Sequence, residues 1–294
     1  MPVQYEIVHT TVYHYKEPVS FGEHRVMFRP RDSHDLRVLA TDLHVSPDAA
    51  VRMIQDPHSN SVALVQPLTA ASELSIVCSF TIEQAQSSDL ELALAPAAEF
   101  FPFTYSVEER FDLEHYLRPH HDDPQGVLTA WARQFIRTDG PTGTRDMLVR
   151  MNQHIRDTLI YSERYEEGTQ PPLLTLAVGS GSCRDFALLM MEAARSLGVA
   201  TRFVSGYLYD PSLDAGGAAM TGAGATHAWL QAYLPGAGWV PFDPTNNLVG
   251  GNQLIRVGVA RGPAQAAPVS GTWFGPADAY LGMQATVQVW RQAD

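Results

Sequence analysis

Between residues 5 and 15 apolar and polar positions alternate along the chain. Tyr5, Ile7, His9, Thr11, Tyr13 and Tyr15 fall on one face, and Glu6, Val8, Thr10, Val12 and His14 on the other. A period of two in β-branched and aromatic residues predicts a strand. Similar runs follow at 25–29, 36–45, 50–55, 61–66 and 73–83, separated by Pro-Arg-Asp-Ser, Ser-Pro-Asp and Asp-Pro-His-Ser-Asn. Short strands with turn chemistry between them predict a β-sandwich-like domain over residues 1–105. Past Ala85 the period changes. Residues 90–103, with Pro96 and Pro102, read as a connecting segment, and helical spacing then takes over. Val127, Leu128, Trp131 and Phe135 form one apolar stripe, with Asp123 as candidate cap before Pro124. Leu148, Met151, Ile155 and Leu159 form a second, capped by Thr144.

The strongest helical stripe is Phe186, Leu189, Met190, Ala193, Ala194 and Leu197, ended by Gly198. Ser182 followed by Asp185 is a capping-box pattern, which places Cys183 at the first helical position. A thiol there meets the positive end of the helix dipole, which favours the thiolate. Beyond Gly198, residues 201–209 and 226–234 alternate as strands. Between them, 210–225 is glycine-rich and is expected to be a loop able to act as a lid. Pro235-Gly236-Ala237-Gly238 then predicts a hairpin with a four-residue loop leading to a strand that ends at Asp243. Counting about that loop pairs Leu234 with Trp239 and leaves Asp243 nearer Leu230 than His227. A bulge or an uneven loop near Pro241 would close the gap.

Composition narrows the function. The 294 residues carry a net charge of −12, which argues against nucleic acid or an anionic membrane as partner. Cys78 lies in a strand-like apolar run and is expected to be buried and inert; nothing resembles a disulfide framework. The start lacks a leader pattern and no apolar run reaches membrane-spanning length, so the expected location is the cytoplasm. His14, His24, His34, His44 and His58 show no ligand-like spacing, and a solvated loop explains His120-His121. His154, on the second predicted helix, is expected to be structural. No cofactor or metal is expected. A zinc site using Cys183 and His227 lacks further ligands at suitable spacing.

Cysteine catalysis needs a thiolate, a base that later acts as acid, and a group that orients the base. Cys183, His227 and Asp243 supply those types on a helix and two neighbouring strands. Here the chain resembles a family. Gly181-Ser182-Cys183-Arg184-Asp185-Phe186-Ala187, Ser205-Gly206-Tyr207, Thr226-His227-Ala228-Trp229 and Gly238-Trp239-Val240-Pro241-Phe242-Asp243-Pro244-Thr245-Asn246 are similar to the bacterial transglutaminase-like superfamily, whose members include candidate cysteine proteases. Tyr13-His14-Tyr15-Lys16-Glu17-Pro18-Val19, Phe28-Arg29-Pro30-Arg31 and Asp56-Pro57-His58-Ser59-Asn60 resemble the β-domain that usually precedes that core.

The resemblance implies an α+β protein, with a papain-like, transglutaminase-like cysteine-hydrolase core and a C-terminal extension over residues 106–294. It also implies Cys183 as nucleophile, His227 as acid/base and Asp243 as its orienter. The expected reaction is acyl transfer on the amide of a peptide or protein through a thioester, most simply hydrolysis. The Cys183 backbone N–H is the first candidate oxyanion donor and Tyr161 a second. An amine acceptor would make the protein a protein-glutamine transglutaminase, and an inert thiol would make it a binding or scaffold protein on the same fold.

Overall fold

In the computed structural model the described residues are 2–85, 93–164, 166–214 and 220–292. Parts of the predicted 90–103 connection and 210–225 loop therefore lie outside them. Six strands open the chain: β1 (Val3–Phe21), β2 (His24–Val26), β3 (Leu36–Ser46), β4 (Ala49–Gln55), β5 (Ser61–Pro67) and β6 (Ala71–Gln84). The expected alternation is real: Val3, Tyr5, Ile7, His9 and Thr11 are buried, and their neighbours more exposed. Two short strands, β7 (Phe100–Phe101) and β8 (Thr142–Gly143), pair across helices α1 (Val107–Asp112), α2 (Glu114–Leu117) and α3 (Val127–Arg133).

Helix α3 begins at Val127, with Gly126 at its N-cap in the left-handed region. Asp123, predicted as the cap itself, instead receives the Leu128 and Thr129 N–H groups from outside the helix, at 3.2 and 2.9 Å. Likewise Thr144 is the first residue of α4 (Thr144–Thr158), not its cap. His154 packs its ring against Trp131 and Phe135, as a structural histidine should.

The parallel pair β9 (Ile160–Tyr161) and β10 (Ser180–Gly181) brackets α5 (Pro172–Val178) and delivers the chain to α6 (Cys183–Ser196). After α6 come β11 (Thr201–Leu208), α7 (Pro211–Asp214), β12 (His227–Leu234), β13 (Gly238–Asp243), β14 (Leu248–Val249) and β15 (Leu254–Ala260). These strands form an antiparallel sheet in the order β14-β13-β12-β11-β15, on which α6 packs. The buried face of α6 joins Leu230, Ala232, Val240 and Phe242 in one core. That is the α+β arrangement expected.

The last strands, β16 (Val269–Ser270), β17 (Trp273–Phe274) and β18 (Tyr280–Arg291), return to the first domain. β18 pairs antiparallel with β1 from Tyr5↔Arg291 to Tyr15↔Tyr280, and β16 extends the sheet β16-β2-β5-β4. The C-terminal extension expected within 106–294 thus pairs with strands of the first domain. Residues 269–291 complete the sandwich, whose β1 would otherwise expose an unpaired backbone edge.

The two parts share a core: Tyr207, Tyr209, Ile255 and Val257 pack among Ile7, Phe80 and Ile82. Asn60, at the end of the Asp56-Pro57-His58-Ser59-Asn60 turn, acts as a strand partner to β15. Its amide donates to Val259 O at 2.7 Å and its Oδ1 receives Val259 N–H at 2.9 Å. Gly206 matters for a different reason. A Cβ there would lie 2.1 Å from Ile255 O, so only glycine lets β15 approach β11.

Cys78 is buried on β6, and both cysteines are free thiols. Burial pushes the Cys78 thiol up to about 11, so it is a poor nucleophile.

Candidate active site

Cys183 stands at the start of α6 because Asp185 ties down that helix end. The buried carboxylate receives the Ser182 N–H at 2.8 Å and the Ser182 hydroxyl at 2.9 Å. It also receives the Gln170 N–H at 2.7 Å and the Arg164 guanidinium at 3.0 and 3.2 Å. The predicted cap is thus the centre of a larger anchor, whose other members lie well upstream. At the first helical position the Cys183 N–H has no intrahelical acceptor and is available to a ligand. The residue is 8% exposed.

His227 opens β12. Its Nε2–H donates to Asp243 Oδ2 at 2.8 Å, with both side chains buried. The hairpin explains the contact and corrects the expected register. Leu234 pairs with Gly238, and the ladder runs evenly to Leu230↔Phe242. The loop has three residues, with Gly236 and Gly238 both at positive φ, as a tight three-residue turn needs. Continuing the register one step sets Asp243 opposite Trp229, on the His227 face and one diagonal away. The uneven, three-residue loop closes the gap, and no bulge at Pro241 is required.

Asp243 also receives the Thr245 N–H on Oδ1 at 2.9 Å and the Asn246 amide on Oδ2 at 2.9 Å. Burial alone would raise its pKa, but the imidazole and these donors hold it below the ordinary carboxylate value. Burial by itself would lower His227. The Asp243 charge and hydrogen bond, with the nearby Cys183 sulfur, instead push it up to about 10. Because Nε2 serves Asp243, only Nδ1 remains for the sulfur. Nδ1 has no partner within hydrogen-bonding geometry, yet Cys183 is close enough to favour the imidazolium.

Tyr161, on β9 beside Gly181, is close enough to Cys183 to feel its charge. Burial and that charge push its hydroxyl up to about 12, so it stays a donor at neutral pH. Among the described residues no group of three His, Cys, Asp or Glu is arranged to hold a metal ion, and no helix is long and apolar enough to cross a membrane. Asn246 was not among the residues singled out from sequence. Its place three residues after Asp243, in Asp-Pro-Thr-Asn, was the available signal.

These shifts fix a pH prediction. The raised His227 pKa contributes stability that is full below the unfolded value of 6.5 and lost as pH rises through about 10. The lowered Asp243 pKa contributes above 3.8 and is lost as pH falls through its folded value. The stability advantage of the native chain over His227→Ala should therefore be widest between pH 3.8 and 6.5. Urea midpoints of the two proteins across pH check this; an advantage that grows toward pH 10 would contradict it.

Comparison with known proteins agrees with this architecture. Residues 129–244 match the transglutaminase-like superfamily, and residues 5–83 match the bacterial transglutaminase-like N-terminal region. An uncharacterized protein of Mycobacterium leprae is 28% identical over 270 residues, covering 92% of each chain. One from Mycobacterium tuberculosis H37Rv is 25% identical over 290 residues, covering 91% of this chain and 87% of that protein. Among solved structures, a protein of Cytophaga hutchinsonii described as a candidate cysteine protease aligns with a TM-score of 0.73 at 19% identity. That alignment covers 100% of this chain and 92% of that one, and it supports the fold.

Proposed function

We propose that this chain, which belongs to the transglutaminase-like superfamily, is a thiol-dependent acyl-transfer enzyme that hydrolyses amide bonds in peptides or proteins. The observation that carries this reading is the buried His227–Asp243 hydrogen bond of 2.8 Å, with Cys183 at a helix N-terminus near enough to raise the pKa of the ring. A histidine merely packed in a core would not need a carboxylate on one nitrogen and a thiol near the other.

In the first half-reaction the Cys183 sulfur forms a bond to the carbonyl carbon and the C–N bond breaks. The His227 imidazolium gives its Nδ1 proton to the departing amine, leaving a thioester and a neutral ring. In the second, that ring takes a proton from water as its oxygen attacks the thioester carbon, and the C–S bond breaks to release the carboxylic acid and restore the Cys183 thiolate beside the His227 imidazolium. Asp243 holds Nε2 throughout, which fixes the ring and stabilises its charged form. The Cys183 N–H and the Tyr161 hydroxyl are the proposed donors to the developing oxyanion.

The test is direct. Cys183→Ala is expected to abolish turnover of an amide and peptide panel, and mass spectrometry should find the acyl group of the substrate on Cys183 of the native chain. Turnover unchanged by the substitution would refute the reading. Incorporation of an added amine into the acyl product in place of water would instead identify a transglutaminase. A thiol at position 183 that alkylates only as slowly as a free cysteine would identify a scaffold protein.

A further inference from the structure

The ring edge that the proposed proton transfer uses is covered by the segment 220–226. Gly222, at φ +89°, lies so close that a Cβ there would stand 2.7 Å from His227 Nδ1. Thr221, beside it, is clasped by one side chain. Its N–H donates to Asn246 Oδ1 at 3.1 Å, and its carbonyl receives Asn246 Nδ2 at 3.0 Å. The same Nδ2 donates to Asp243 Oδ2 at 2.9 Å, the oxygen that holds the imidazole. The flanks are pinned as well. The Met220 N–H donates to the Asp210 carboxylate, which also caps Ser212, and Gly224 O receives the Val287 N–H from β18 at 2.9 Å. His227 is 1% exposed beneath this cover.

We propose that Asn246 is a positioning residue that ties access to the cysteine to the orientation of the acid behind the histidine. The inference rests on the acyl-transfer reading for its meaning, though not for its test. An amide has two N–H donors and an acceptor, and here both donors and the acceptor are used at once. Aspartate would lose the donors and repel Asp243, and alanine would lose every bond. A departing amine that takes its proton from Nδ1 must displace 220–226, which breaks the two bonds to Thr221. The third bond stays, so Asp243 keeps its donor while the cover is lifted. Gly222 is required because any larger residue would hold the cover off the ring.

The experiment alkylates Cys183 in the full chain, in a Cys78→Ser background, with a small reagent, iodoacetamide, and a bulkier one, N-ethylmaleimide. Asn246→Ala should raise the rate of the bulky reagent relative to the small one. It should also move the acid limb of the iodoacetamide profile to higher pH by half a unit to one unit, about three- to tenfold in rate on that limb. Gly222→Ala should raise the size ratio alone, because the bond from Asn246 to Asp243 is untouched. Asn246→Asp, which keeps the acceptor for Thr221, should shift the limb at least as far as Asn246→Ala. It serves as the second variant if alanine fails to fold by circular dichroism.

A folded Asn246→Ala or Asn246→Asp with the native pH profile would overturn the proposal, because Asn246 would then be a loop clasp only. An unchanged size ratio in Asn246→Ala would overturn it as well. These readouts need no substrate. If they appear as expected while no amide is turned over, the acyl-transfer reading fails and the positioning role stands.

Discussion

Asp243→Asn is expected to lower turnover of an amide substrate by about 10³- to 10⁴-fold while leaving the fold intact. The carboxylate receives three donors, from His227 Nε2, the Thr245 N–H and the Asn246 amide. The Thr245 N–H sits on Oδ1 while the ring and the Asn246 amide share Oδ2, so an asparagine that keeps its oxygen for Thr245 turns an N–H toward the ring. The imidazole then accepts at Nε2 and carries its proton on Nδ1, the nitrogen left free for the sulfur in the proposed reaction. In that tautomer it cannot take the thiol proton, and without the neighbouring charge the imidazolium loses its main stabilisation. Rates of Cys183 alkylation and of amide turnover should fall together. Loss of turnover with undiminished alkylation would mean that Asp243 acts on the substrate and not through the histidine.

The largest effect on stability is expected at Asp185. Its buried carboxylate collects Arg164, the Gln170 N–H and two donors from Ser182. Asp185→Ala removes the acceptor these donors share and leaves the largely covered Arg164 with only the exposed Glu166, at 3.5 Å, as ion-pair partner. A loss of about 3–5 kcal/mol follows from breaking one side of a buried ion pair. Urea denaturation reads it as a lower midpoint with an unchanged slope. A loss below about 1 kcal/mol would mean that water replaces the carboxylate at little cost, as it does for surface pairs. Because the same carboxylate fixes the start of α6, Cys183 should also become less reactive in this variant.

What could be read in the chain beforehand was what depends on near neighbours. The alternation of β1, the stripe of α6, the capping pair Ser182 and Asp185 and the isolation of Cys78 each follow from residues within a turn or two. The choice of Cys183, His227 and Asp243 followed from chemical type, and the fold brings the histidine and the aspartate into contact. The errors lie where distance along the chain decides. The hairpin register was misjudged by one residue because backbone freedom at Gly236 and Gly238 shortens the loop. Nothing local to Asp185 announces Arg164 or Gln170. Asn246 was legible as a residue, but its work depends on where the chain around Thr221 comes to rest. The return of β18 was hidden for the same reason, since a strand's sequence states its period and not its partner.

That return bears on how the molecule comes to exist. β1 leaves the ribosome long before β18, so the nascent sandwich waits through the synthesis of everything from α1 to β15 with one side of β1 open. Pairing between such distant segments is slow to nucleate and leaves a sticky template for other chains meanwhile. A cell making this protein quickly should therefore find its yield governed by chaperone capacity rather than by the strength of the finished fold.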